Sequence, residues 1–175
     1  ITLSLTLSDG RRLHYRDIRR LGTVTLLTAP QLEAALAPLG PEPLDPSLTA
    51  ERFSGIIRGS SRAVKSILMD QKRLAGVGNI YANEALWRAR IRPARRGERV
   101  TRAQCTALFS ELRAVLSESI ALRGTTFRDY RDAYGGRGGF AARLQAYGRA
   151  GEPCLRCGDA LSATHAVDGR QTVWC

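Results

Sequence analysis

Cys154-Leu155-Arg156-Cys157 sits between Pro153 and Gly158. It places two thiols on one tight turn, the spacing at which thiolates share a tetrahedral ion. Thr164 to Trp174 reads as a hairpin around Asp168-Gly169, which would return Cys175 to that pair. Three thiolates leave one corner of the tetrahedron open, and a fourth cysteine is expected three residues past Cys175. His165, at the opposite end of the hairpin, is a poor substitute. The competing reading is a redox pair, but such a pair opens a helix within a βαβ pattern, and that context is missing here. A structural zinc on Cys154, Cys157 and Cys175 is therefore expected, in a reducing, cytosolic setting.

A second chemistry lies in Gly76-Val77-Gly78-Asn79. A helix that starts at Asn79 after a two-glycine turn aims unpaired backbone N–H groups outward. Those groups and the helix dipole both favour an anion. The chain carries a formal charge of +11 on 175 residues, with 27 Lys and Arg against 16 Asp and Glu. A balance of this size points to a polyanion, and nucleic-acid phosphate is the natural occupant. Nearly all the positive charge is arginine, whose planar fork suits phosphate and guanine edges. Lys65 and Lys72 are the only lysines, and Lys65 opens the block that contains the glycine turn.

Other chemistries are excluded. There is no Walker A loop, and Gly76-x-Gly78 is no dinucleotide fingerprint, because Tyr81 stands at the third glycine position. No run approaches a membrane span. The first seven residues alternate apolar with polar and lack the basic start of a signal peptide. With no initiator Met, the chain reads as beginning inside a longer protein. Cys105 falls on an apolar helix face and reads as a small buried residue.

The elements that must hold these groups follow from periodicity. Residues 1–28 alternate at period two: Leu3, Leu5 and Leu7 share a face, Ser8-Asp9-Gly10 turns, Leu13 and Tyr15 return, and Thr23 to Leu27 reads as a third strand. Residues 29–48, with Pro30, Pro38, Pro41, Pro43 and Pro46, read as a linker with one short helix over Gln31 to Ala37. Residues 49–146 read as one domain, helical over 49–122. Thr49 starts a helix with Phe53, Ile56 and Ile57 buried. Ala63 to Asp70 and Asn79 to Ala89 are the next two. Thr101 starts a long helix to Leu122 with Leu108, Leu112, Val115, Leu116 and Ile120 inward. Between Arg123 and Tyr147, arginines interleave with aromatics, a pattern that suits a nucleic-acid surface. Residues 147–175 form the cysteine unit. The fold class is α+β.

Four segments in this order carry a resemblance. They are Asp17-Ile18-Arg19-Arg20-Leu21-Gly22, Lys65 through Arg90, Gly124-Thr125-Thr126-Phe127-Arg128-Asp129-Tyr130, and Tyr147-Gly148-Arg149-Ala150-Gly151-Glu152-Pro153-Cys154. Together they resemble the formamidopyrimidine-DNA glycosylase family of bifunctional glycosylase/AP lyases in base-excision repair. The resemblance spans essentially the whole chain. It implies a partial N-terminal β-sandwich sheet, a helix–two-turns–helix domain and a C-terminal β-hairpin zinc finger. Lys65 and Asn79, with the Gly76 and Gly78 turn, would hold phosphates flanking the lesion, and Arg170 would grip phosphate from the zinc hairpin. Arg19 would fill the space left by the extruded nucleotide. Leu21 stands where the family has an intercalating phenylalanine; it can still wedge between base steps but cannot stack as an aromatic does. Thr125, Thr126, Arg128 and Tyr130 would lie in the loop over the flipped base.

The family's nucleophile is an N-terminal proline amine that forms a Schiff base, with a glutamate moving protons. Neither stands in this chain, so no residue here is assigned as catalytic and the fragment alone is expected to be inactive. The implied partner is damaged double-stranded DNA carrying oxidised purines. The protein would be a cytoplasmic, nucleoid-associated monomer with no membrane contact. The alternatives are a non-catalytic damaged-DNA-binding paralogue or another helix–two-turns–helix nucleic-acid-binding module.

Overall fold

The computed structural model describes residues 2–17, 21–127 and 130–175. The chain divides into two compact units, residues 1–37 and 38–175.

In the first unit, β1 (Thr2–Thr6) and β2 (Arg12–Arg16) form an antiparallel hairpin in which Leu3 faces Tyr15 and Leu5 faces Leu13. The turn needs a left-handed residue, which Gly10 supplies at φ 84°. Helix α1 (Ala29–Leu36) follows, with the Thr28 N–H donating to the Gln31 side chain at 2.9 Å. The third strand expected over Thr23 to Leu27 does not form. Its period-two pattern is present, but among the described residues no strand edge takes its backbone bonds, and Val24 and Leu26 are exposed.

The second unit is built on α2 (Ala50–Arg58), α3 (Val64–Leu68), α4 (Asn79–Arg88) and α5 (Arg102–Ala121). Thr49 caps α2 by accepting the Arg52 N–H, and Thr101 with Gln104 makes a reciprocal capping box on α5. Phe53, Ile57, Ile67, Leu68, Ala82, Leu86, Leu108 and Leu112 fill the common core. Each contributes about 1.5–3 kcal/mol if it is a large side chain taken fully out of water. Phe53 stacks on Phe109 at 4.9 Å between ring centroids.

Ile56 is only partly buried, and Ile120 is exposed, contrary to the expectation for both α2 and α5. The inward line on α5 runs Cys105, Leu108, Leu112, Val115 and Ser119, so helical phase carries Ile120 past the core. Cys105 is buried as expected, and burial pushes its thiol pKa up.

The last element is a small antiparallel hairpin, β3 (Ser162–Thr164) and β4 (Thr172–Trp174), with Ala163 opposite Val173. It packs with Trp87, Ala146, Cys154 and Leu161 into a second apolar cluster. The protein is therefore α+β, with a small antiparallel pair early in the chain, another late, and helices between them in sequence. Among the described residues no helix is long and apolar enough to cross a membrane.

Candidate nucleic-acid interface and metal centre

The two turns between α3 and α4 are held from inside. Leu74 and Val77 are buried, while Gln71 folds its amide into the loop. Gln71 Nε2 donates to the carbonyls of Met69 and Val77, and its Oε1 accepts the Gly76 N–H at 2.9 Å. Gly76 takes φ 80°, a conformation that disfavours any side chain. Gly40 braces the loop from outside: its N–H reaches the Gln71 carbonyl, and a Cβ there would meet the Arg73 carbonyl carbon at 2.3 Å.

Gly78 is the N-cap of α4, and no side chain caps that end. Of the N–H groups expected to face an anion over Gly76 to Asn79, that of Gly76 is already engaged by Gln71. Asn79 turns its amide to the hairpin, with Nδ2 donating to the Gln171 carbonyl at 3.2 Å. Asn83, one turn further on, is fully buried. Its Oδ1 accepts the Val173 N–H at 2.7 Å and its Nδ2 donates to the Asn79 carbonyl at 2.8 Å. These bonds seat the hairpin beside the start of α4, and the exposed Arg170 occupies the hairpin turn next to Gln171.

Lys65, expected on a phosphate, is placed differently. Its ammonium is fully buried behind the hairpin and donates to Asp168 Oδ1 at 3.1 Å, the Gln171 carbonyl at 3.3 Å and Thr172 Oγ1 at 2.8 Å. Burial pushes its pKa down, and the Asp168 hydrogen bond opposes that shift. A groove of about 710 Å³ opens alongside, lined by Arg62, Ser66, Asp70, Gln71, Asp168 and Arg170 among others.

The loop after α5 is anchored at its neck by the two threonines. Thr125 Oγ1 lies 3.2 Å from the Tyr81 hydroxyl, which also accepts from Ser119 at 2.7 Å. Thr126 is buried; its hydroxyl donates to the Tyr130 carbonyl and accepts the Gly138 N–H. At the tip, Asp132 accepts the N–H groups of Tyr134 and Gly136 and leaves the Tyr134 side chain exposed. Tyr130 is half exposed and Leu21, in the first unit, is exposed. Arg19 and Arg128 lie outside the described residues.

The sulfurs of Cys154, Cys157 and Cys175 lie within 4.8 Å of one another, and Cys157 and Cys175 are 3.3 Å apart. Thiolates about 2.3 Å from one tetrahedral ion sit roughly 3.8 Å apart, so the cluster fits a soft or borderline metal ion. The backbone N–H of Arg156, with that of Cys157, pulls the Cys154 thiol down to about 6. Cys175 is pushed up to about 12, chiefly by its hydrogen bond with Cys157. Cys154 is thus prepared to ionise ahead of Cys175.

Sequence reasoning gives Glu84 no role beyond structure or solvent. It is fully buried, and its carboxylate accepts the N–H groups of Gln145, Ala146 and Tyr147 at 2.9, 2.8 and 2.7 Å. Asn83 escapes sequence reasoning altogether. Two adjacent polar residues between Ala82 and Ala85, in the middle of the helix, are the only sequence signal that marks them.

A short helix, two turns and a second helix, with a thiol-cornered hairpin seated on the second helix's start, define a helix–two-turns–helix protein. The chain belongs to the formamidopyrimidine-DNA glycosylase family, since residues 39–131 match the formamidopyrimidine-DNA glycosylase H2TH domain. It is 44% identical over 173 residues to the formamidopyrimidine-DNA glycosylase of Roseiflexus sp. (strain RS-1), covering 99% of this chain and 63% of that protein. It is 48% identical over 164 residues to that of Thermomicrobium roseum, covering 93% of this chain and 56% of the relative. Among solved structures, the MutM (Fpg) protein of Thermus thermophilus superposes with TM-score 0.87 at 40% identity, covering 98% of this chain and 65% of the other. Lactococcus lactis Fpg in complex with abasic-site DNA gives TM-score 0.88 at 33% identity, over 98% and 63%. The chain thus spans somewhat under two thirds of the length of these relatives.

Proposed function

We propose that this chain is the DNA-binding part of a lesion glycosylase with AP lyase activity in base-excision repair. The observation that carries this reading is the seat of the hairpin: Asn79 Nδ2 meets the Gln171 carbonyl, so the uncapped start of α4 and Arg170 stand side by side. Two donors of different kinds, helix N–H groups and a guanidinium, then face one strip of backbone phosphate. Gly76 and Gly78 shape the turn, Asn79 supplies an amide, and Lys65 belongs to the same clamp from within. The substrate class is damaged duplex DNA, oxidised purines by family resemblance. Thr125, Thr126, Arg128 and Tyr130 would form the loop over the flipped base, and Arg19 and Leu21 would occupy the vacated stack. Domains read as a sheet over 1–28, a linker over 29–48, a helical domain over 49–146 and a zinc finger over 147–175.

Zinc is the proposed ion on Cys154, Cys157 and Cys175, where it would fix the hairpin that carries Arg170. Glycosidic hydrolysis and β,δ-elimination belong to the whole protein, acting through an N-terminal proline amine, and these 175 residues alone would be inactive. The protein would act as a cytoplasmic, nucleoid-associated monomer. Support comes from the family match and from the DNA-bound relative.

The test is the salt dependence of binding to a lesion-bearing duplex. A clamp on several phosphates gives an affinity that falls steeply as salt rises, with a log–log slope of about −0.9 per phosphate neutralised. Arg170→Ala should make that slope shallower by about one phosphate. A flat salt response, or an unchanged slope in the variant, refutes the clamp.

A further inference from the structure

The phosphate-gripping turn of the hairpin has a charged residue buried beneath it. Asp168 Oδ1 accepts two donors at once, the Lys65 ammonium at 3.1 Å and the backbone N–H of Arg170 at 3.1 Å. Lys65 continues under the turn to the Gln171 carbonyl and Thr172 Oγ1, and Thr172 Oγ1 in turn donates to the Arg170 carbonyl at 3.2 Å. Arg170 is therefore held at both its N–H and its C=O by residues that themselves rest on one ammonium. Ser66 adds a bond from the same helix, its hydroxyl donating to the Val167 carbonyl.

An ammonium with no exposed surface cannot touch a phosphate without the hairpin lifting off. Desolvating a lysine is costly, and the cost is met only where its donors find acceptors, as all three do here.

We propose that Lys65 and Asp168 are positioning residues: a buried pair that sets the backbone of the 168–172 turn so that Arg170 projects towards phosphate. This rests on the clamp reading above. It assigns Asp168 a function opposite to its charge. An aspartate on a DNA-facing turn ordinarily weakens binding by repulsion, whereas here its loss releases the Arg170 N–H and the turn.

The test uses the full-length protein and a labelled duplex with a tetrahydrofuran abasic analogue, which the lyase does not cut. Asp168→Asn, which keeps an acceptor oxygen for Lys65 and for the Arg170 N–H, is the control expected to fold and to bind as the parent does. Asp168→Ala strips the buried ammonium of one acceptor and its counter-charge, so melting temperature and metal content are measured beside its binding. The variant gains one unit of positive charge, yet it should bind the duplex about tenfold more weakly, with a slope shallower by about one phosphate, as for Arg170→Ala. Asp168→Ala combined with Arg170→Ala should be no weaker than Arg170→Ala alone. Lys65→Met should behave like Asp168→Ala if it folds. Equal or tighter binding by Asp168→Ala, or full additivity with Arg170→Ala, overturns the positioning role while leaving the clamp intact. An Arg170→Ala variant that binds as well as the parent overturns both.

Discussion

Asn83 and Val173 are 90 positions apart in the chain, and the Asn83 Oδ1 accepts the Val173 N–H at 2.7 Å in a fully buried setting. The neighbouring residue on the same helix, Glu84, accepts three more N–H groups from residues 145–147. Helix α4 thus works as a keel: beside the apolar packing around Trp87, its Asn83 and Glu84 side chains hydrogen-bond the backbone of the cysteine unit and of the segment that leads to it.

Asn83→Leu should destabilise the protein by about 1–3 kcal/mol, because it strands a buried strand N–H. Thermal melting measures the loss, and hydrogen exchange at Val173 should rise more than exchange in the α2–α5 core. Uniform exchange across both regions would contradict the local role.

Glu84→Gln keeps one oxygen for Ala146 and Tyr147 but turns an NH₂ towards the Gln145 N–H, a donor facing a donor. A cost of about 1–3 kcal/mol is expected. Metal content should stay unchanged, since the three thiols are untouched. A variant as stable as the parent would show that the three bonds are replaced by water without loss.

Removing metal with a chelator should loosen the hairpin and weaken duplex binding, because the ion would tie Cys175 to the Cys154 turn. Cys157→Ser should mimic the chelator. Elemental analysis of the full-length protein should find one zinc per molecule, and a metal-free protein that binds DNA with full affinity would remove zinc from the account.

Arg88 grips Glu118 in two-pronged fashion at 2.7 and 2.9 Å, joining α4 to α5. That hydrogen bond holds the Glu118 carboxyl below its ordinary value of 4.5. A depressed carboxylate contributes stability that is present above its unfolded value and lost as pH falls through the folded one. The melting-temperature gap between the parent and Glu118→Gln should therefore be constant above about pH 5 and close below the ordinary carboxylate range. Glu118 is nearly half exposed, so the gap should be small and shrink with salt. A gap that never narrows as the protein is acidified through the carboxylate range would count against the ion pair.

Several elements are legible because local chemistry announces them. Thr49 and Thr101 mark helix starts, Asp168-Gly169 marks the hairpin turn, and Cys-x-x-Cys with a distant Cys175 marks the thiol cluster. What escapes is set by distant partners. Lys65 reads as a surface cation because it sits on a five-residue helix with no local sign of burial; the hairpin that covers it arrives a hundred residues later. Asn83 and Glu84 bind backbone N–H groups, which every residue but proline carries, so no partner residue betrays them. The strand expected over Thr23 to Leu27 fails for the converse reason: its alternation is local, but pairing needs an edge. Ile120 reads as buried only if the apolar row on α5 is extended past the point where Ser119 takes the inward position.

Gln71 closes the two-turn loop on itself, Asn83 and Asn79 hold the hairpin, and Glu84 holds the 145–147 segment that leads to it, before any ligand arrives. The ordering entropy of this surface is accordingly met during folding rather than at encounter. Association with DNA should then proceed as rigid docking, with a heat-capacity change that reflects only the area covered and none of the large signature of coupled folding. What stays open to solvent on this unit is the 130–138 loop, with the Tyr134 side chain at its crest.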